Sequence, residues 1–224
     1  MPVISLRTGI VSTDRLAASK AAIVEGWYPG ISGSAALAKS LFGNLKPMLD
    51  MSFTENLGRG YRYWQGDAPL WSFGHGLSLT DFGLGWHGAG MGAAPPAPLV
   101  VTSAAQTIRL SLDVTNTGSR VGDEVVLLFH EPEANVTRPA SETVRLPARR
   151  LVDFARAGSL AAGAATALHF ALNASTALGL VDSEGSTYLY AGGHRLVASR
   201  GHGAELRQAV TVQLDAPVLI DTLL

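Results

Sequence analysis

The stretch Ile108-Arg109-Leu110-Ser111-Leu112-Asp113-Val114-Thr115-Asn116-Thr117-Gly118 decides the fold of the larger part of this chain. Ile108, Leu110, Leu112 and Val114 fall on every second position, with Arg109, Ser111, Asp113 and Thr115 between them. A period of two is that of a half-buried β-strand, and Asn116-Thr117-Gly118 ends it with turn residues. Downstream, Glu124 to Phe129 reads as a second strand, more continuously apolar. Further strands are expected around Leu151–Phe154, Thr166–Leu172, Thr187–Tyr190, His194–Ala198 and Val210–Leu214, with turn signals at Ala161-Ala162-Gly163, Asp182-Ser183-Glu184-Gly185 and Gly192-Gly193. Short strands at this spacing predict an antiparallel β-sandwich.

Upstream of it the pattern changes. The glycines and prolines between Gly83 and Pro98 leave little room for regular structure, so residues 83–99 read as an interdomain linker. Before the linker the chain reads as α/β. The apolar run Ala21 to Trp27, ended by Tyr28-Pro29-Gly30, fits a buried strand feeding a turn. In Ala35 to Phe42, Leu37 and Leu41, and Ala38 and Phe42, are four apart and share a helical face, with Ser34 as N-cap and Gly43 as the stop. A helix start such as Gly30-x-x-Gly33-Ser34 can hold an anion, but without the lysine of a P-loop it reads as a cap.

Composition narrows the function. With 224 residues, 47% of them hydrophobic, the chain can bury a sizeable core. Lys and Arg number 17 against 18 acidic residues, a formal net charge of −1, which argues against a nucleic-acid partner and its clustered cations. The absence of cysteine excludes disulfides, thiol nucleophiles and thiolate metal sites. No apolar run approaches the roughly 20 residues of a membrane helix, so no membrane partner is expected. Met1 to Val11 are neither basic nor apolar enough for a signal peptide, and the compartment stays open.

The motif Trp71-Ser72-Phe73-Gly74-His75-Gly76-Leu77-Ser78-Leu79-Thr80-Asp81-Phe82 follows Gly60-Tyr61-Arg62-Tyr63-Trp64. Two glycines around a histidine, flanked by aromatics, make a tight turn pinned by large rings. Together the segments resemble the "YRFY … PFGHGLSYT" pattern near the end of the second domain of glycoside hydrolase family 3 enzymes, above all the plant-type β-xylosidase and arabinofuranosidase branch. Trp27-Tyr28-Pro29-Gly30 through Leu41-Phe42-Gly43-Asn44 resembles the same family's "WYPGxxGGxAxADxLFGxxNP". In the sandwich half, Asp113 to Gly118 with Gly122 to Val126, Pro147 to Phe154, and Leu180 to Gly185 resemble three segments of the fibronectin type III-like domain that closes many of these enzymes.

The resemblance implies an α+β chain: a partial α/β (doubly wound) remnant at 1–82, the linker at 83–99, and an antiparallel fibronectin type III-like β-sandwich at 100–220. It implies the C-terminal part of an exo-β-xylosidase or arabinofuranosidase-like protein whose carbohydrate partner, in the complete enzyme, is a xylan-type oligosaccharide. The family's aspartate nucleophile belongs to a barrel domain with no counterpart here, and its acid/base glutamate precedes the matched segments. The expectation is therefore no catalytic residue, no metal, no cofactor, substrate-binding residues left open, and inactivity without a missing catalytic half. The alternative is a non-catalytic sandwich for structural support, oligomerisation or polysaccharide contact.

Retaining hydrolysis needs two carboxyl groups about 5 Å apart. Glu25, Glu55, Asp50, Asp67 and Asp81 read as solvated structural acids. Arg62 between Tyr61 and Tyr63, with Trp64 next, could grip a sugar by ring stacking and guanidinium hydrogen bonds, but pinning the loop is the favoured role. His75 reads as a loop histidine, and the six histidines at 75, 87, 130, 169, 194 and 202 show no metal spacing. Asp182 and Glu184 read as a hairpin turn, not a calcium loop. No Gly-x-Ser-x-Gly elbow occurs. Asn135-Val136-Thr137 and Asn173-Ala174-Ser175 are glycosylation sequons, relevant only in the secretory pathway.

Overall fold

The computed structural model describes residues 3–6, 22–25, 54 and 57–222. The chain divides into two units, Met1–Ser52 and Phe53–Leu224. In the first, β1 (Val3–Leu6) and β2 (Ala22–Glu25) pair in parallel, from Val3 opposite Ala22 to Leu6 opposite Glu25. A parallel pair requires a crossover between its strands, as the α/β reading expects. The helix expected over Ala35 to Phe42 and the Gly30-to-Ser34 turn lie outside the described residues.

The second unit opens with a single helical turn, α1 (Gly60–Tyr63), and continues almost entirely in strands. β3 (Phe82–Trp86), β4 (Gly90–Met91), β5 (Leu99–Val101), β6 (Thr107–Asn116), β7 (Gly122–Pro132), β8 (Arg150–Leu160) and β9 (Ala165–Asn173) precede a five-residue helix, α2 (Ala174–Leu178). β10 (Leu180–Val181), β11 (Thr187–Leu189), β12 (Gly192–Ser199), β13 (Leu206–Val212) and β14 (Val218–Asp221) follow. One sheet has the order β5-β13-β12-β7-β8, a second the order β4-β3-β6-β9, and a small third the order β10-β11-β14. Every pair in the sandwich is antiparallel except β13 with β5.

β6 alternates as its sequence predicts: Ile108, Leu110, Leu112 and Val114 are buried and the residues between them are not. They pack in one core with Val126 and Leu128 of β7, Leu196 and Ala198 of β12, and Val210 and Val212 of β13. Each such side chain contributes roughly 1.5–3 kcal/mol on leaving water, which is what holds the two sheets face to face. All five strands expected between residues 151 and 214 form; β8, β9 and β12 run longer than expected, β11 stops at Leu189, and β13 is shifted to Leu206–Val212.

The stretch 83–99 corrects the sequence reading, for it is not a free linker. β3 and β4 form a hairpin, and β3 runs along β6 with Phe82 opposite Asn116 and Trp86 opposite Leu112. Phe82, Leu84 and Trp86 are core residues, and glycine fills the positions between them. A side chain at Gly85 would lie 2.7 Å from the Gly90 carbonyl carbon, so the small residues that argued against structure are what let the hairpin close. The sandwich thus begins near Phe82, and β5 supplies a parallel edge to it.

Candidate functional site: an aromatic cleft on the sandwich

β7 and β12 run side by side with Phe129 opposite Val197. Both residues are buried, at 1% and 0% exposure, yet both lie outside the inter-sheet core. For Phe129 the cover comes from the aromatic segments around Tyr61 and Phe73: Tyr61 stacks on Phe73 at 4.2 Å, and both meet Phe129 edge-on, at 5.9 and 6.3 Å. Such ring pairs add about 0.5–1.5 kcal/mol each beyond their burial. The main chain joins in, since the Arg62 carbonyl accepts hydrogen bonds from the Ala148 and Arg149 amides.

The turn after Phe73 is fixed from below. Gly74 has φ +88° and Gly201 φ +77°, and a side chain at Gly201 would fall 2.2 Å from the Gly74 carbonyl carbon. The two backbones can meet only because Gly201 carries no Cβ, whereas a Cβ at Gly74 would fall 2.3 Å from Leu127 Cδ1. The His75 amide donates to the Ser72 carbonyl, and its ring meets that of His202 at 5.5 Å.

Between this segment and the β12–β13 turn lies a cleft of about 360 Å³, with Tyr61, Trp64, Phe73, Arg149, His202 and Glu205 among its walls. Arg149 sits over the Phe129 ring, 5.0 Å from its centre, and donates to Glu131 at 2.6 Å and to Glu205 at 3.0 Å. Arg207 reaches the same two carboxylates at 3.2 and 2.6 Å, and Arg195 adds Glu133 at 2.7 Å. Burial by itself would raise the Glu205 carboxyl, but the hydrogen bond and charge of Arg149, aided by Arg207 and Ser199, outweigh it and hold Glu205 below the usual carboxylate range. Glu205 is thereby held as an anion.

Several expected site residues lie elsewhere. Glu25 ends β2, and Glu55 and Asp50 lie outside the described residues. Asp67 offers its main-chain carbonyl to the Trp64 indole N–H, and the Asp81 carbonyl accepts from the Thr117 and Gly118 amides. The Asp182 carboxylate accepts from the Glu184 and Ser186 amides, which makes it the hairpin-turn residue expected. His87 bonds Asp113 at 2.7 Å and His169 bonds Ser111 at 2.8 Å, both on the outer face of the four-stranded sheet. Among the described residues no group of three or more His, Asp or Glu has metal-site geometry. No described helix is long and apolar enough to cross a membrane. Asn135 bonds the Gly193 amide, and Asn173 caps α2 by accepting from the Ser175 amide.

Sequence reasoning missed Glu131, Arg149, Glu205 and His202 as a group. They are scattered over 75 positions and meet only when β12 pairs with both β7 and β13 and β8 pairs with β7; the one local signal was the Arg149-Arg150 pair after Pro147.

No family model matches the chain. Among curated proteins it is similar to a probable β-glucosidase I of Aspergillus terreus, 32% identical over 177 residues, which covers 67% of this chain and 20% of the relative. It is 34% identical over 122 residues to the xylan 1,4-β-xylosidase of Xylanibacter ruminicola, covering 48% of this chain and 13% of the relative. The chain thus spans a fifth or less of these relatives. Among solved structures, the exo-β-xylosidase XlnD of glycoside hydrolase family 3, bound to a xylobiose aziridine probe, matches 99% of this chain and 32% of its own, with TM-score 0.59 and 22% identity. A β-glucosidase of Kluyveromyces marxianus in complex with glucose matches 99% of this chain and 28% of its own, with TM-score 0.58 and 22% identity. Sequence likeness to the curated enzymes and a fold shared with the solved ones lead to one assignment: the chain is a member of glycoside hydrolase family 3, homologous to a part of its β-glucosidases and β-xylosidases.

Proposed function

We propose that the chain is the C-terminal part of a glycosidase that releases xylose or arabinose from xylan-type oligosaccharides, and that it has no turnover by itself. One observation carries the second statement. A retaining pair needs one carboxyl with a raised pKa to protonate the leaving oxygen. The carboxylate that lines the described cleft, Glu205, is bonded to Arg149 and Arg207 and is pushed the other way. The similarity to the Xylanibacter xylan 1,4-β-xylosidase supports the choice of sugar.

The test is release of 4-nitrophenol from an aryl β-xyloside by the purified chain, expected to equal the buffer blank. A rate above the blank that disappears in Glu205→Gln would sink the proposal. A second reading, a sandwich that only supports its neighbours, is favoured by the way Tyr61 and Phe73 spend their rings on Phe129.

A further inference from the structure

We propose that His87 and His169, on the outer face of the four-stranded sheet, form a two-imidazole site for a divalent late transition-metal ion, with Cu²⁺ held more tightly than Zn²⁺. The six histidines of the chain stand in three pairs of neighbouring rings: His75 with His202, His87 with His169 and His130 with His194. Two of these pairs are closed to a cation. His130 and His194 are buried and bond each other. In the first pair, His202 has its Nδ1 buried and its Nε2 3.4 Å from the Arg200 guanidinium, whose charge repels a second cation. The pair that remains meets water, with the His87 side chain 52% exposed and His169 exposed beside it.

Strand register builds the pair. His169 of β9 lies opposite Ser111 of β6, and the His87 amide, just past β3, donates to the Ser111 carbonyl at 3.2 Å. The two histidines therefore flank Ser111 in one row across three strands, and their ring centres stand 5.6 Å apart. Two imidazoles on one ion, with metal–nitrogen bonds of about 2.0–2.1 Å, have ring centres roughly 5 Å apart, so little movement is needed. Each ring already has one nitrogen engaged at the sheet: His87 Nδ1 with the Asp113 carboxylate at 2.7 Å, and His169 Nδ1 with the Ser111 hydroxyl at 2.8 Å. A proton on each Nδ1 leaves Nε2 with the lone pair that a metal takes. Asp113 is fixed in turn, because its second oxygen accepts from the Gly88 amide at 3.1 Å. Burial alone would raise the Asp113 carboxyl, but the hydrogen bonds of His87 and Gly88 outweigh it and hold it below the usual carboxylate range. A carboxylate behind a histidine orients the ring and strengthens it as a ligand, so Asp113 is a positioning residue. Among the described residues no third protein ligand joins the two rings, and water completes the shell. Imidazole donors suit Cu²⁺, Ni²⁺ and Zn²⁺, with Cu²⁺ the most tightly held.

The experiment titrates copper, zinc and magnesium chlorides into the 224-residue chain by calorimetry. One Cu²⁺ per chain should bind at roughly micromolar concentration. Zn²⁺ should bind more weakly, and Mg²⁺, which prefers oxygen ligands, not at all. The electron paramagnetic resonance spectrum of the bound copper should show two imidazole nitrogens. His87→Gln and His169→Gln should each weaken Cu²⁺ binding about tenfold or more, and Asp113→Asn about tenfold with both nitrogens kept in the spectrum. His75→Gln, in the pair beside Arg200, should bind as the parent does. Zn²⁺ should raise the thermal midpoint of the parent and leave that of the His87→Gln, His169→Gln double variant unmoved, which separates a lost site from a lost fold. Cu²⁺ affinity unchanged in both single variants overturns the proposal. So does a spectrum with fewer than two imidazole nitrogens, or an equal loss of affinity in His75→Gln.

Discussion

Asn116 is fully buried and every polar atom of its side chain is engaged. Its Oδ1 accepts from the Thr80 hydroxyl at 2.8 Å and the Gly118 amide at 3.1 Å; its Nδ2 donates to the carbonyls of Arg120 at 2.6 Å and Leu160 at 2.8 Å. The amide therefore ties the β6–β7 turn to β8 and to the entry of β3. Asn116→Ala should cost about 3 kcal/mol, because it leaves several buried groups unpaired at once. The check is a lower urea midpoint at an unchanged slope; a loss under about 1 kcal/mol would contradict the assignment. The sequence showed that Asn116-Thr117-Gly118 is a turn, since that depends on local backbone preference. It could not show the role of Asn116, whose partners Thr80 and Leu160 are 36 and 44 residues away.

At the scale of elements, the aromatic segment is held by one narrow crossing, where Gly74 passes over Gly201. Gly201→Ala requires a positive φ from alanine and a contact inside van der Waals distance, at a cost of about 2 kcal/mol or more. The expected outcome is a segment released locally: faster hydrogen exchange at the amides of Tyr61 to His75, with the β6 and β12 amides still protected. Equal acceleration everywhere would mean that the segment and the sandwich open together. Strands were legible here wherever one face meets a core, as in β6 and β13, because burial imprints a period of two. β3 was not, because its glycine positions serve the approach of β4 and leave only three apolar residues as signal. The cleft is half legible: Tyr61 to Trp64 stand out as rings beside an arginine, but His202 and Glu205 come from the distant β12–β13 turn.

For the whole molecule, the consequential pair is buried inside the sandwich. His130 of β7 and His194 of β12 are both 0% exposed, with His130 Nε2 and His194 Nδ1 2.9 Å apart. His194 Nε2 donates to the Tyr190 carbonyl at 3.2 Å, so its Nδ1 accepts and His130 Nε2 is the donor. That leaves His130 Nδ1 buried without a partner. Burial lowers the pKa of His130 well below its ordinary value, and the charges of His194 and Arg150 push the same way. Burial also lowers His194, against the opposing pull of the Tyr190 carbonyl and Glu133. Both imidazoles therefore take up protons more readily in the unfolded chain. Stability is complete above the ordinary histidine pKa, near 6.5, and is lost as pH falls below it. Denaturation at pH 5 should show a loss of roughly 1–3 kcal/mol relative to pH 7.5, reduced in a His130→Leu, His194→Leu double variant. A double variant as acid-sensitive as the parent would refute this.

The parallel pairing of β5 with β13 sets a timetable for synthesis. Leu99 lies opposite Val210, and the Ala97 carbonyl receives the Gln208 side-chain amide. The edge of the five-stranded sheet therefore waits for a partner more than a hundred codons away. A ribosome at its ordinary pace of about 5–20 residues per second holds that edge open for several seconds, and contacts of such long range are slow to form even afterwards. Until β13 emerges, the nascent sandwich has a bare strand for which chaperones and neighbouring nascent chains compete.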